Sequence, residues 1–205
     1  MPTQNDAAPR RKRADAVRNT ESVLEAAKAA FAESGVDAPM RDIAARAGVG
    51  VGTIYRNYPL RSDLIIAVFR REVDATAAEA GRLVAECPPP EALRLWAARF
   101  AGFVATKRGF ATALHSGDPA YQSLPDYFVG TLAPMVQSIL DAGAREGSIR
   151  ADVRAEDLIH ALSRLAPAHS SDAADPATRM TQVLLDGLLT SRPDAPPSSN
   201  SPASA

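Results

Sequence analysis

Apolar side chains recur along this chain at spacings of three and four, and no two-residue alternation persists, so the pattern predicts helices throughout and no strands. Over residues 15–34, Val17, Val23 with Leu24, Ala27 and Phe31 share one stripe; Gly35 follows as a stop, and Val36 can fold back on Phe31. A shorter helix carries Ile43, Ala44 and Ala47 behind Pro39 and ends at Gly48. Gly50, Val51 and Gly52 restart the chain into a third helix, whose Ile54 and Tyr58 point inward and which Pro59 closes. A long helix should run from Arg61 into the 80s on Leu64, Ile65, Val68, Phe69 and Val73, with Asp63 at its positive end. The run of three prolines at 88–90 breaks it.

Beyond that break, Leu93, Trp96, Ala97, Phe100 and Val104 make a stripe over residues 91–107. A short segment around 110–115 and a loop come next, then a helix over 126–146 that contains Pro134 and ends at Gly147. Two more helices are expected, over 154–166 and 176–189. The ends are different. Residues 1–13 and 191–205 have little to bury and are expected to be disordered, the first as a basic arm carrying Arg10 to Arg13 or as a solubilising tail. The fold class is therefore all-α, with a three-helix unit over 14–60 and a larger helical domain over 61–190.

Within the first unit, one face of the third helix carries Gly52, Thr53 and Arg56, with Tyr55 and Asn57 on its flanks. Such a helix buries itself poorly but suits a groove. Two short helices around a glycine turn, the second presenting such a face, form a helix-turn-helix, whose second helix enters the DNA major groove. Ala44 and Ala47 let the two helices cross closely.

Charge supports that reading. The formal net charge is -1, yet residues 1–70 hold 11 Lys/Arg against 8 Asp/Glu and the remainder 12 against 16. A basic end that faces DNA and a body that does not touch it would produce this asymmetry, and so would chance. The single cysteine, Cys87, excludes an internal disulfide and fits a reducing compartment. No apolar run suits a membrane span or a signal peptide, so a cytoplasmic protein without membrane contact is expected.

Other chemistry finds little support. Residues 48–52, GVGVG, look like a phosphate-cradling loop, but no strand precedes them and no Gly-Lys-Ser follows. His115, His160 and His169 share no metal-ligand spacing with each other or with Cys87, and no local motif implies a catalytic set. Neither a metal nor a cofactor is expected, and the protein is not expected to be an enzyme. A nonspecific DNA-compacting protein would need more positive charge.

The chain resembles the TetR family of transcriptional regulators. The resemblance rests on Ala30-Phe31, Gly35, Ile43-Ala44, Ala47-Gly48-Val49, Gly52-Thr53-Ile54-Tyr55, Tyr58-Pro59 and Leu64, and beyond residue 68 on helix layout. The proline break, Trp96, residues 106–109 and residues 147–152 look like an actinobacterial-type branch. The resemblance implies an all-helical homodimer that binds a double-stranded DNA operator through its N-terminal unit and a small-molecule effector in its larger domain. It further implies that Gly50, Val51, Gly52 and Thr53 approach base edges and phosphates, that Tyr55 and Asn57 contact phosphates or thymine methyls, and that Arg61 supplies the basic residue at the start of the fourth helix.

Three positions depart from the family pattern. Ala38-Pro39 stands where a threonine or serine often caps the second helix and touches phosphate, a contact that Arg41 could replace. Tyr58 replaces a phenylalanine, as core or as a phosphate ligand. Leu60 stands where a capping hydroxyl is common. In the larger domain, Trp96, Phe100, Phe103, His115, Tyr121, Tyr127, Phe128, Met135 and His160 are candidates for the effector pocket, with core packing as the competing reading for each. Leu158, Leu162, Leu165, Val183, Leu184 and Leu188 are candidates for the dimer interface, or else they complete one protomer's core. Repression released by the effector is the expected outcome; the alternative is a ligand-carrier or enzyme domain with a vestigial DNA-binding motif.

Overall fold

A computed structural model of the protein describes residues 7–107, 110–114, 116–165 and 175–190. The chain runs through α1 (Ala7–Ser34), α2 (Met40–Ala47), α3 (Val51–Asn57), α4 (Arg61–Glu86), α5 (Pro89–Lys107) and α6 (Ala111–Leu114). A 3-10 turn at Pro119–Tyr121 leads into α7 (Leu124–Glu146), α8 (Ala155–Leu165) and α9 (Pro176–Leu188). The one extended pairing among the described residues is an isolated bridge between Ile149 and Leu189. It ties the exit of α7 to the end of α9 through Arg150 N–H to the Leu188 carbonyl at 2.9 Å and Thr190 N–H to the Ser148 carbonyl at 3.1 Å. No helix among the described residues is long and apolar enough to cross a membrane.

Two hydrophobic cores organise these helices. The first gathers Val23, Ala27, Ala30 and Phe31 of α1, Ile43 and Ala44 of α2, Ile54 of α3, and Leu64, Ile65 and Val68 of α4. The second gathers Phe69, Val73, Ala77, Ala80 and Leu83 of α4 with the inner faces of α5, α7, α8 and α9. Full burial of one of their valine, leucine, isoleucine or phenylalanine side chains stabilises by about 1.5–3 kcal/mol. Because α4 gives its first turns to one core and its remainder to the other, it is one continuous rod through both. Phe110, just before α6, makes a second link: its ring meets Phe31 at 5.5 Å and Phe69 at 6.3 Å, both edge-on.

Two expectations change here. The spacing of apolar residues starts the first helix at 15, whereas α1 begins at Ala7, so Arg10 to Arg13 stand on helical backbone. Alanine, arginine and lysine favour helix without burial, which apolar periodicity cannot register. Val17, expected on the inner face, is 58% exposed, and among the described side chains the buried stripe starts at Val23. The expected tail at 191–205 and the loop with His169 lie outside the described residues.

The dimer candidates divide. Leu158, Leu162 and Leu188 are buried in their own protomer's second core, so the reading that gives them to a partner is corrected. A helical stripe identifies an apolar face without naming what covers it, and here α7 and its neighbours do. Leu165 and Leu184 are half-buried. Val183, by contrast, is 60% exposed, and Met180, one turn before it, is exposed too.

Candidate nucleic-acid interface

The α2–turn–α3 unit is built by its ends. Pro39, in extended conformation, precedes α2 without a side-chain cap, and its carbonyl accepts from Asp42 N–H at 2.9 Å. Gly48 closes α2 at φ 67°, a left-handed conformation that glycine adopts without strain. Val49 N–H then reaches back to the Ala44 carbonyl at 3.1 Å, the long bond of a Schellman ending. Gly50 returns to extended geometry and α3 starts at Val51.

Of the residues in α3, only Ile54 is fully buried; it joins the helix to the first core, which also holds Ile43 and Phe31. Gly50, Val51, Gly52, Tyr55, Arg56 and Asn57 are exposed, and Thr53 is half-buried. The polar side chains are ordered among themselves. Arg56 donates through Nε to the Gly52 carbonyl at 3.2 Å and through Nη2 to Thr53 Oγ1 at 3.1 Å, while Asn57 Nδ2 donates to the Thr53 carbonyl at 3.0 Å. Gly52, Thr53 and Arg56 thus form one hydrogen-bonded set on one face. Arg41, on α2, is free-standing apart from a 3.4 Å pairing with neighbouring Asp42.

Tyr58 and Arg61 sit differently. Tyr58 is half-buried against the first core, and burial pushes its phenol above the ordinary tyrosine range, with nearby Arg71 opposing. Arg61 turns inward: its Nη1 donates to the carbonyls of Val36 at 2.6 Å and Ala38 at 2.7 Å, tying the first turn of α4 to the α1–α2 loop. Leu60 offers no side-chain cap, but Asp63 accepts its N–H at 2.9 Å, which is half of a capping box.

Ion pairs brace the unit. Arg46 of α2 grips Glu33 of α1 with two hydrogen bonds, which hold the Glu33 carboxyl below its usual range. Lys28 of α1 meets Glu72 of α4 at 2.8 Å, with Glu72 only 4% exposed, and Arg71 meets Glu25 at 2.7 Å. The pairings to Glu25 and Glu72 fasten α1 to α4 along its length. The sequence reading missed them because their partners lie more than forty residues apart in the chain.

The effector candidates also separate. Trp96, Phe100 and Phe103 are packed into the second core, with the Trp96 ring stacked on Phe100 at 4.9 Å and its Nε1 donating to the Thr76 carbonyl at 3.2 Å. All three are buried in the second core, with Phe103 stacked on Phe128 at 5.7 Å. Phe128 and His160 do line a cleft of about 320 Å³ with Phe69, Leu114, Pro125, Val129 and Ser163. Ser163 lies three residues after His160, on the same face of α8, a spacing that could have drawn attention to it. Tyr121 packs against both cores, and Met135 stands exposed. Tyr127 donates to Asp74 Oδ1 at 2.5 Å, a bond that raises its phenol's affinity for its proton, while the Arg70 guanidinium over its ring opposes the shift. His115 lies outside the described residues.

A three-helix head that exposes the polar face of its third helix, carried on a larger helical body, defines a helix-turn-helix DNA-binding regulator. Known proteins agree. Residues 23–68 match the model of the bacterial regulatory proteins of the tetR family, and residues 88–190 match the C-terminal domain of SbtR-like transcriptional regulators. The crystal structure of a TetR transcriptional regulator from Streptomyces coelicolor is 37% identical, with a TM-score of 0.71 over 84% of this chain and 99% of that one. A TetR regulatory protein from Mycobacterium vanbaalenii is 35% identical, with a TM-score of 0.68 over 87% and 99%. An HTH-type transcriptional regulator from Staphylococcus aureus is 38% identical over 63 residues, a match that spans 34% of its length. The chain belongs to the TetR family of transcriptional regulators.

Proposed function

We propose that this regulator is a homodimeric repressor that occupies a palindromic DNA operator and is released from it by a small-molecule effector held in the α4–α9 body. The observation that carries the DNA-reading part is the hydrogen-bonded set of Gly52, Thr53 and Arg56 on the exposed face of α3, anchored from behind by buried Ile54. Gly52 brings backbone close to DNA, Thr53 offers a hydroxyl and a methyl, and Arg56 offers a fork suited to guanine. Tyr55, Asn57 and Arg41 flank this set and serve phosphates. Arg61 acts from behind, as a residue that positions α2 and α4.

The dimer reading is supported by what α8 and α9 leave uncovered. Met180, Val183 and Gly187 fall on one exposed face of α9, and Ala161 and Leu165 are half-buried on α8. For both protomers to meet one face of the duplex, a partner across this face must hold the two α3 helices about 34 Å apart, one DNA turn. Selection of bound sequences from random DNA tests the proposal: a palindrome with half-sites about ten base pairs apart supports it, and recovery of no preferred sequence would refute it. Val183→Asp should at the same time yield monomers in sedimentation, and a variant that stays dimeric would move the interface elsewhere.

A further inference from the structure

The cleft framed by α4, α6, α7 and α8 has its own chemistry. Phe69, Leu114, Pro125, Phe128 and Val129 make it apolar, and its polar groups come from His160 and Ser163. Ser163 Oγ is buried from solvent and has no hydrogen-bond partner. A buried hydroxyl in that state awaits a partner, since most such groups have one. His160, exposed and one turn earlier on α8, stands at the solvent side of the same wall.

Size and charge narrow what fits. An apolar cavity of about 150 Å³ accommodates benzene, and this cleft is about twice as large, at about 320 Å³. No Lys, Arg, Asp or Glu lines it among the described residues, so an ionised ligand would find only the His160 imidazole, at the solvent side, to offset its charge in an apolar place. The neighbouring cleft that shares Val129 differs in this respect, with Arg154, Glu156 and Gln137 in its lining.

We propose that the α4–α6–α7–α8 cleft binds a neutral, hydroxyl-bearing apolar molecule about two fused rings in size, its rings against Phe69, Phe128 and Val129 and its hydroxyl on Ser163. This rests on the reading of the body as an effector domain and names the effector's chemical class. The position suits that task. Leu114 packs against both cores, and Phe110, four residues earlier, is fixed between Phe31 of the head and Phe69 of α4. A molecule wedged beside Leu114 and Phe69 therefore bears on the two elements that join body to head.

Calorimetric titration of the full chain at neutral pH with 1-naphthol, naphthalene and 1-naphthoate tests the assignment. The expected order is 1-naphthol tighter than naphthalene by about three- to tenfold, the worth of one hydrogen bond, with 1-naphthoate weakest. Ser163→Ala should bind 1-naphthol and naphthalene alike, and Val129→Trp, which fills the cleft, should bind neither. Equal affinities for 1-naphthol and naphthalene in the unaltered protein, tightest binding of 1-naphthoate, or a hydroxyl preference that survives Ser163→Ala would each overturn it. Should Val129→Trp lose its helical circular dichroism, the Ser163→Ala comparison decides alone. Operator affinity gives a separate readout: 1-naphthol that binds in the expected order without weakening the DNA complex upholds the site and removes the effector reading.

Discussion

Arg56 is held before DNA arrives. Its guanidinium is bonded to Gly52 and Thr53 on its own helix, so little side-chain freedom remains to be lost in a groove. Arg56→Ala should therefore flatten discrimination between the operator and single-base variants, costing about 1–3 kcal/mol at the base it reads. Competition binding against a set of point-mutated operators measures this directly. Arg61 predicts another pattern. Losing its two carbonyl bonds should lower the unfolding midpoint by a few degrees and weaken all DNA sequences together, with no change in the salt slope. A phosphate ligand would lower that slope by about one and spare stability. The outward direction of Gly52 and Arg56 was legible in the sequence, because helical spacing from Ile54 determines it. The inward turn of Arg61 was not, since its acceptors belong to a loop more than twenty residues earlier, and only the folded head brings them within reach.

At the scale of elements, α4 joins head and body. Its first turns lie in one core and the rest in the other, and Lys28–Glu72 bolts it to α1 where the two cores meet. Lys28→Met leaves the buried Glu72 carboxylate alone and should destabilise the protein by about 3 kcal/mol in urea unfolding; a change under about 0.5 kcal/mol would show that water replaces the lysine. The end of α7 makes a comparable prediction. A Cβ on Gly143 would fall inside contact distance of buried Ile149, whose Cβ as well as its branch atoms crowd the site, so Gly143→Ala should destabilise by about 1–3 kcal/mol. Helix ends could be read because Gly35, Gly48 and Gly147 each adopt the positive φ that a glycine stop predicts. Partners could not. The stripes of Leu158, Leu162 and Leu188 were visible, but that their own chain covers them depends on how α7, α8 and α9 stack, and Trp96 likewise had to find the Thr76 carbonyl on another helix.

For the whole molecule, the excess of positive charge sits in residues 1–70 and the excess of negative charge in the rest, an asymmetry that would favour DNA at the N-terminal end. If each dimer neutralises about 6–10 phosphates, operator affinity should fall about 10³- to 10⁵-fold between 50 and 200 mM salt, and a titration that stays flat would count against a backbone-tracking head. The proposed release by an effector would need far less energy than this. A coupling of about 1–3 kcal/mol shifts affinity about 5- to 150-fold, which a small tilt of α4 could supply by breaking a few phosphate contacts. All of it depends on two α3 helices reading one duplex. The most direct measurement is selection from random DNA with the purified full-length protein, followed by sizing of the complex on the winning sequence. The account predicts one palindrome, half-sites about ten base pairs apart and two protomers bound; an unsymmetrical sequence bound by a single protomer, or no enrichment, would contradict it.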